Sequence, residues 1–292
     1  MSVPGEVIAG YAVIRTLGRG GSAEVYRARD ADGHDVALKV LDASHRTPTG
    51  SARLRREFDF ARRLAPHPGI VAVHDVGPTW LAMDFVDGRP VTELATVDDR
   101  LRALAAIAET LDYVHRRGIV HCDVKPTNIL VEHAAGDGAP SRVVLIDFGV
   151  AHSMAEDVAM RLAHDTGRLS LDPARRITHA DHEPRTQLHA SLPYSAPELL
   201  TGRTPTAVTD EYALACTVVE ILTGSPPFSA NTALGMVEHQ LHSPPPRISR
   251  QESWLPRRVD SIIAKALAKR PDVRYRTCRE FIASITQAIQ PG

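Results

Sequence analysis

The sequence predicts an α+β chain of two lobes, a small strand-rich one carrying a single key helix and a larger, mainly helical one. Three observations predict it. Residues 11–41, 70–76 and 79–86 read as strands, interrupted by one helical pattern at 51–65. From residue 99 onward the long apolar patterns are helical, and only 129–131 and 143–146 read as short buried strands. The chain has 292 residues, 43% hydrophobic and 24% charged, which is enough for two cores meeting at a cleft.

The formal net charge of −1 gives no general attraction to nucleic acid or to a membrane surface. Cys122, Cys216 and Cys278 are odd in number and far apart, with neither a disulfide framework nor zinc spacing, which fits a reducing, cytoplasmic setting. The first residues lack a basic stretch followed by an apolar core, so no signal peptide is expected. The most apolar long stretch, 208–222, contains Asp210, Glu211 and Glu220 and does not read as a membrane span. Any anchor or sensor region is expected to lie outside this chain.

In the first third, strands flank Gly18-Arg19-Gly20-Gly21-Ser22-Ala23. Glycines let a backbone bend tightly and approach phosphate oxygens with no Cβ in the way. Val25 follows the loop, and Val36-Ala37-Leu38-Lys39-Val40 follows the Asp32-Gly33 turn. Alternation puts Val36, Leu38 and Val40 on one face of that strand, and Ala37 with Lys39 on the other, so a small residue and a cation face a cleft together. The helix at 51–65 has Leu54, Phe58, Ala61 and Leu64 as its apolar stripe and Glu57 as its only glutamate. Glu57 can be a solvent-facing partner of Arg53 or Arg56, or can turn inward. The arginines at 53, 55, 56, 62 and 63 read as a solvated face. The strands 70–76 and 79–86 lead to Met83-Asp84-Phe85-Val86, where the small lobe ends.

The helix at 99–117 carries Leu101, Leu104, Ala105, Ala108, Leu111 and His115 at helical spacing, with Gly118 as its stop. It delivers His121-Cys122-Asp123-Val124-Lys125-Pro126-Thr127-Asn128, and the strand at 143–146 delivers Asp147-Phe148-Gly149. Asp123 is a carboxylate able to take a proton from an attacking hydroxyl, and Lys125 projects to the same side of an extended loop. Asn128 and Asp147 offer oxygens to a hard cation such as Mg²⁺, which needs only one or two from protein when phosphates and water supply the rest. His121 reads as a packed imidazole under Phe148.

This ordered set resembles the catalytic and metal-binding loops of eukaryotic-type protein kinases, and Lys125 looks like the serine/threonine branch. The resemblance covers about residues 8–288 and is most similar to bacterial serine/threonine kinases. It implies the two-lobed protein kinase fold, with an N-lobe at 1–84, a C-lobe at 85–292 and an activation segment at 147–198. It implies ATP with Mg²⁺ (or Mn²⁺) as cofactors, protein serine and threonine hydroxyls as acceptors, and a capacity to pair through the small lobes. Gly18, Gly20, Val25 and Ala37 would enclose the nucleotide, and the backbone at Asp84 and Val86 would bond the adenine edge beside Met83, itself equally readable as core. Lys39, held by Glu57, would orient the phosphates; Asn128 and Asp147 would hold the metal; Asp123 and Lys125 would be catalytic.

The sequence departs from the family pattern at Ala23, at Cys122 and at Ala190-Ser191. Cys122 stands where arginine is common, and a thiol has no fixed positive charge to capture an activation-segment phosphate. Activation is therefore expected not to depend on such capture. Residues 152–190 are polar and read as a mobile loop, with Ser170 and Thr178 behind basic residues as candidate autophosphorylation sites; His179 and His182 lack support as metal ligands. Ser191 stands where a threonine touches the catalytic pair. Glu198 is expected to pair with Arg274, and Asp210 either caps the helix at 210–223 or bonds the catalytic loop from within the core. Two other functions fit the fold: a scaffold without catalysis, against which the six polar catalytic positions argue, and a small-molecule phosphotransferase, against which Ala196-Pro197-Glu198, Asp210 and Arg274 argue.

Overall fold

The computed structural model describes residues 5–64, 66–133, 140–148 and 191–290. The expectations about 149–190, including Ser170, Thr178, His179, His182 and Ala190, and about most of the turn at 134–141, lie outside the described residues.

The N-terminal strands form one antiparallel six-stranded sheet in the order β1-β2-β3-β4-β6-β5. They are β1 (Val7–Ile8), β2 (Tyr11–Arg19), β3 (Ala23–Arg29), β4 (Asp35–Leu41), β5 (Val73–Val76) and β6 (Trp80–Asp84). The alternation in β4 sorts its side chains as expected. Val36, Leu38 and Val40 join Val13, Tyr26, Ala28 and Ala82 in one cluster. Ala37 lies in another, with Val25, Leu54, Phe58, Met83 and Val86. Helix α1 (Pro48–Leu64) covers this second face. It begins three residues earlier than the apolar stripe suggests, because Pro48 suits the first turn, where its missing N–H would have no partner.

The second part holds a small sheet, β7 (Arg89–Pro90), β8 (Ile129–His133) and β9 (Pro140–Leu145), beside a helical core. The helices are α2 (Val97–Arg116), α3 (Pro197–Leu200), α4 (Ala207–Thr223), α5 (Ala233–His242), α6 (Arg258–Ala266) and α7 (Cys278–Ile289). Thr96 caps α2 by accepting the Asp99 N–H at 3.0 Å. Asp112, inside α2, accepts the Cys278 and Arg279 N–H groups at 2.9 and 3.2 Å and so caps α7 from outside. Helix α4 starts at a Thr206–Thr209 capping box, not at Asp210, and ends at Gly224, whose φ of 78° is cheap only for glycine. Almost every α4 side chain is buried, which is why this is the most apolar long stretch of the sequence. Among the described residues no helix is long and apolar enough to cross a membrane.

One residue of α4 opposes the fold. Glu211 is buried, and neither carboxylate oxygen has a hydrogen-bond partner among the described residues. Burial pushes its carboxyl well above the usual range, against the pull of Arg274 and Lys265 and with Glu198 and Glu280 adding to the rise. The folded protein therefore keeps this proton while the unfolded chain releases it above the ordinary value of 4.5. The cost to stability is absent below that pH and grows as pH rises. Glu211→Leu is expected to raise stability by about 1–3 kcal/mol near neutral pH. The gain in Tm should be larger at pH 8 than at pH 5; equal gains at both would show that Glu211 does not titrate in this way.

Candidate active site

Lys39 lies at the middle of β4, and the register places it opposite Val25 on β3 and Leu81 on β6. Its ammonium bonds both oxygens of Glu57 at 3.0 and 2.9 Å, and Oδ1 of Asp147 at 2.7 Å. Glu57 therefore faces inward from α1 instead of standing in solvent with the arginines. Burial alone would lower the lysine's pKa, but the Asp147 and Glu57 carboxylates outweigh it and raise it. Burial likewise opposes ionisation of Asp147, yet Lys39 holds that carboxyl down to about 2. Glu57 is pushed up to about 7 by burial, with Lys39 opposing and Asp147 reinforcing the rise. One cation cannot fully compensate two carboxylates. A second cation at Asp147 would leave Lys39 to Glu57 and to whatever else enters the cleft.

The catalytic loop is built around Asp210. This α4 carboxylate, fully buried, accepts the His121 N–H at 2.7 Å and the Cys122 N–H at 2.6 Å. It also contacts His115 Nε2 at 2.8 Å. The contact from within the core thus replaces the helix-cap alternative. Cys122 sits at φ 57° and Asp147 at φ 67°. Left-handed backbone at such residues costs about 1–3 kcal/mol each and persists only where neighbours over-determine it. Asp210 does so for the first and Lys39 for the second. The His121 ring meets Phe148 edge-on at 4.8 Å, with Nε2 3.2 Å from the Ile146 carbonyl, so this imidazole is a packed support, as its sequence context suggested.

Asp123 is the point where three donors converge. Lys125 Nζ reaches Oδ2 at 2.7 Å, Asn128 Nδ2 reaches Oδ2 at 3.0 Å, and Ser191 Oγ donates to Oδ1 at 2.8 Å. Lys125 also donates to Ser191 Oγ at 3.0 Å. Asn128 spends its other amide contact on the Asp123 carbonyl at 2.8 Å, which keeps its oxygen as the acceptor end. The Asn128 oxygen and the Asp147 carboxylate are a donor set of the type Mg²⁺ takes.

At the mouth of the cleft, Gly18 pairs with Val25 across the hairpin and the Gly20 N–H bonds the Ala23 carbonyl at 2.8 Å. A Cβ added at Gly18 would meet nothing within 4 Å, and one at Gly20 only the Ala23 carbonyl at 3.5 Å. Neither has a left-handed φ. The protein's own packing therefore does not demand glycine there; open space for phosphate oxygens does fit. Arg19 and Thr16 bond Glu24 at 2.9 and 3.3 Å and tie the hairpin stems together. Ala37, Val25, Met83 and Val86 share one apolar cluster with Leu130 and Ile146, a slot suited to a planar base. The Asp84 N–H is used by the Ala72 carbonyl at 2.8 Å, so Asp84 can offer a base edge only its carbonyl. Its side chain goes to His74 at 2.8 Å.

Two residues that the sequence did not single out support this site. His115 stood in the apolar stripe of α2, and its only signal was being a histidine there; it contacts Asp210. Gln240 on α5 gave no signal, and it bonds the backbone next to Ser191.

The chain belongs to the protein kinase family: the protein kinase domain matches residues 11–287. The chain is 37% identical to the serine/threonine-protein kinases PknJ and PknF of Mycobacterium tuberculosis, over 99% and 96% of its own length. Those matches cover 47% and 56% of the two relatives, so the chain spans about half the length of the curated relatives it matches. Among solved structures it is similar to the kinase domain of Mycobacterium tuberculosis PknI, with a TM-score of 0.68 and 30% identity, covering 99% of both chains.

Proposed function

We propose that this chain transfers the γ-phosphoryl group of Mg-ATP to serine and threonine hydroxyls of proteins, its own among them. The observation that carries the reading is the convergence of Lys125, Asn128 and Ser191 on Asp123, beside the Lys39–Glu57–Asp147 cluster. Asp123, acceptor-only when ionised, orients the incoming hydroxyl and takes its proton. Lys125 lies next to the same point and offsets negative charge on the group in transit. Lys39 grips the α- and β-phosphates while Glu57 fixes its direction. Asn128 and Asp147 hold the metal ion, which supplies charge neutralisation on the phosphates. Gly18, Gly20, Val25 and Ala37 enclose the nucleotide, and Asp84 and Val86 meet the adenine edge. The nucleotide lid is residues 1–84 and the acceptor platform 85–292.

The platform favours a protein acceptor. Just after Leu192–Tyr194 in the chain, Glu198 pairs with Arg274 at 2.7 and 2.8 Å, both residues buried. A small alcohol would need no such ledge. A cytosolic setting, which the unpaired cysteines fit, and pairing through the small lobes, which rests on the family resemblance, complete the proposal.

The test is intact mass of dephosphorylated protein after incubation with Mg-ATP, with a chelator and the Lys39→Met variant alongside. Wild type is expected to gain phosphate only with the metal present, and Lys39→Met to gain none. Wild type that binds Mg-ATP but phosphorylates neither itself nor a panel of Ser/Thr peptides would favour the scaffold reading instead.

A further inference from the structure

Gln240 lies on α5, far in sequence from every residue assigned above, and is fully buried. Its Nε2 donates to the carbonyls of Leu192 and Pro193 at 3.1 and 2.6 Å. Its Oε1 accepts from the Tyr212 hydroxyl at 2.6 Å. The amide orientation is fixed by chemistry, because two backbone carbonyls can only accept. Tyr212, fully buried on α4, in turn faces Lys269, whose Nζ lies 3.3 Å from the hydroxyl and 3.2 Å from the His239 carbonyl. Lys269 can only donate, so the tyrosine proton is directed to Gln240. The result is a one-way relay: Lys269 to Tyr212, Tyr212 to Gln240, Gln240 to the two carbonyls.

Those carbonyls directly follow Ser191, whose hydroxyl sits between Lys125 and Asp123. Leu192 packs with Phe228, Met236 and Val237, but apolar contact alone permits sliding and rotation of the ledge. Directional hydrogen bonds to two successive carbonyls do not. We infer that Gln240 is a positioning residue for the acceptor: held by Tyr212, it sets the height and orientation of the Leu192–Tyr194 ledge relative to Asp123. The inference rests on the proposed kinase reading and adds to it the element that fixes the protein substrate. Its effect should fall on the acceptor and spare the nucleotide, since no member of the relay touches Lys39, Asp147 or the glycine hairpin.

The test compares Gln240→Met, which keeps length and loses both bond types, with Tyr212→Phe, which keeps the ring and removes the hydroxyl that donates to Gln240 and accepts from Lys269. Steady-state transfer to a Ser/Thr peptide is measured with each substrate varied in turn. Gln240→Met is expected to raise the KM for the peptide about tenfold, the loss of roughly one net buried hydrogen bond, with the KM for ATP unchanged. Tyr212→Phe should shift the same parameter less. Hydrogen exchange gives a readout independent of transfer: the amides of Leu192, Tyr194 and Ser195 should exchange several-fold faster in Gln240→Met, those of β3 and β4 unchanged. A variant with lower Tm but unaltered peptide KM would assign Gln240 to folding alone and overturn the inference, as would an equal rise in both KM values. Wild type without any transfer speaks against the kinase reading; wild type with transfer and an unaffected Gln240→Met speaks against this inference only. Unchanged exchange at 192–195 overturns it in either case.

Discussion

Asp123→Asn is expected to lower the rate of phosphoryl transfer by about 10²–10⁴, the usual range for one general base. The structure makes this a clean substitution. An asparagine in the same rotamer can keep its oxygen at the Oδ2 position, where Lys125 and Asn128 donate at 2.7 and 3.0 Å. Its amide nitrogen then falls at the Oδ1 position, opposite Ser191 Oγ. A hydroxyl both accepts and donates, so Ser191 can rotate to accept that N–H. The donors Lys125 and Asn128 keep their acceptor, and the loop should stay in place. What is lost is an acceptor able to take the proton of the incoming hydroxyl. The expected pattern is therefore a fall in kcat, an unchanged dissociation constant for Mg-ATP and an unchanged Tm. A rate within threefold of wild type would remove Asp123 from its proposed role.

The legible part of the site is the part whose members share a short stretch or a strict alternation. Asp123, Lys125 and Asn128 sit in one loop, so their candidacy as proton acceptor, cation and metal oxygen can be read before any fold is known. Ala37 and Lys39 follow from strand alternation, and the observed clusters divide β4 as alternation requires. Glu57 is intermediate. The helix stripe places it near the buried face, and only the direction of α1 over the sheet brings its oxygens to within 3.0 Å of Lys39. Beyond these, local reasoning had nothing to grip. Local pattern alone made Asp210 a helix cap because it opens an apolar run, and only the family resemblance offered the loop contact; Thr206 takes the capping task and Asp210 holds the loop at His121 and Cys122. His115, Gln240 and Tyr212 make contacts that exist only once α2, α4 and α5 are packed. Glu211 is the reverse case: a carboxylate in an apolar helix does not disclose that tertiary packing leaves it without a hydrogen-bond partner among the described residues.

Arg274→Met is expected to cost about 3–5 kcal/mol of stability, the usual penalty for breaking a buried pair from one side. The guanidinium is fully buried and forms two parallel bonds with Glu198, at 2.7 and 2.8 Å. It also donates to the carbonyls of Val208 and Ala268, each at 2.8 Å. Methionine fills much of the volume and satisfies none of these acceptors. Glu198 would be left with Thr209, which bonds Oε1 at 3.0 Å, as its remaining partner among the described residues. A single hydroxyl cannot replace a bidentate cation in burial, so Glu198 must take up a proton or pull water inward. Either response loosens α3 and, through it, the Leu192–Tyr194 ledge that Gln240 holds from the other side. The drop in Tm should be roughly 10 °C. Glu198→Gln with Arg274→Met should cost less than the two single losses added, because the variant no longer buries an unpaired charge. It should still cost something, since the Ala268 carbonyl loses its Arg274 donor and the Val208 carbonyl keeps only its helical one. Chemical denaturation of the four proteins in the cycle measures this directly. A coupling within about 0.5 kcal/mol of zero would mean that Arg274 acts by filling space and bonding carbonyls, and that the pair itself does not tie the acceptor platform to the helical core.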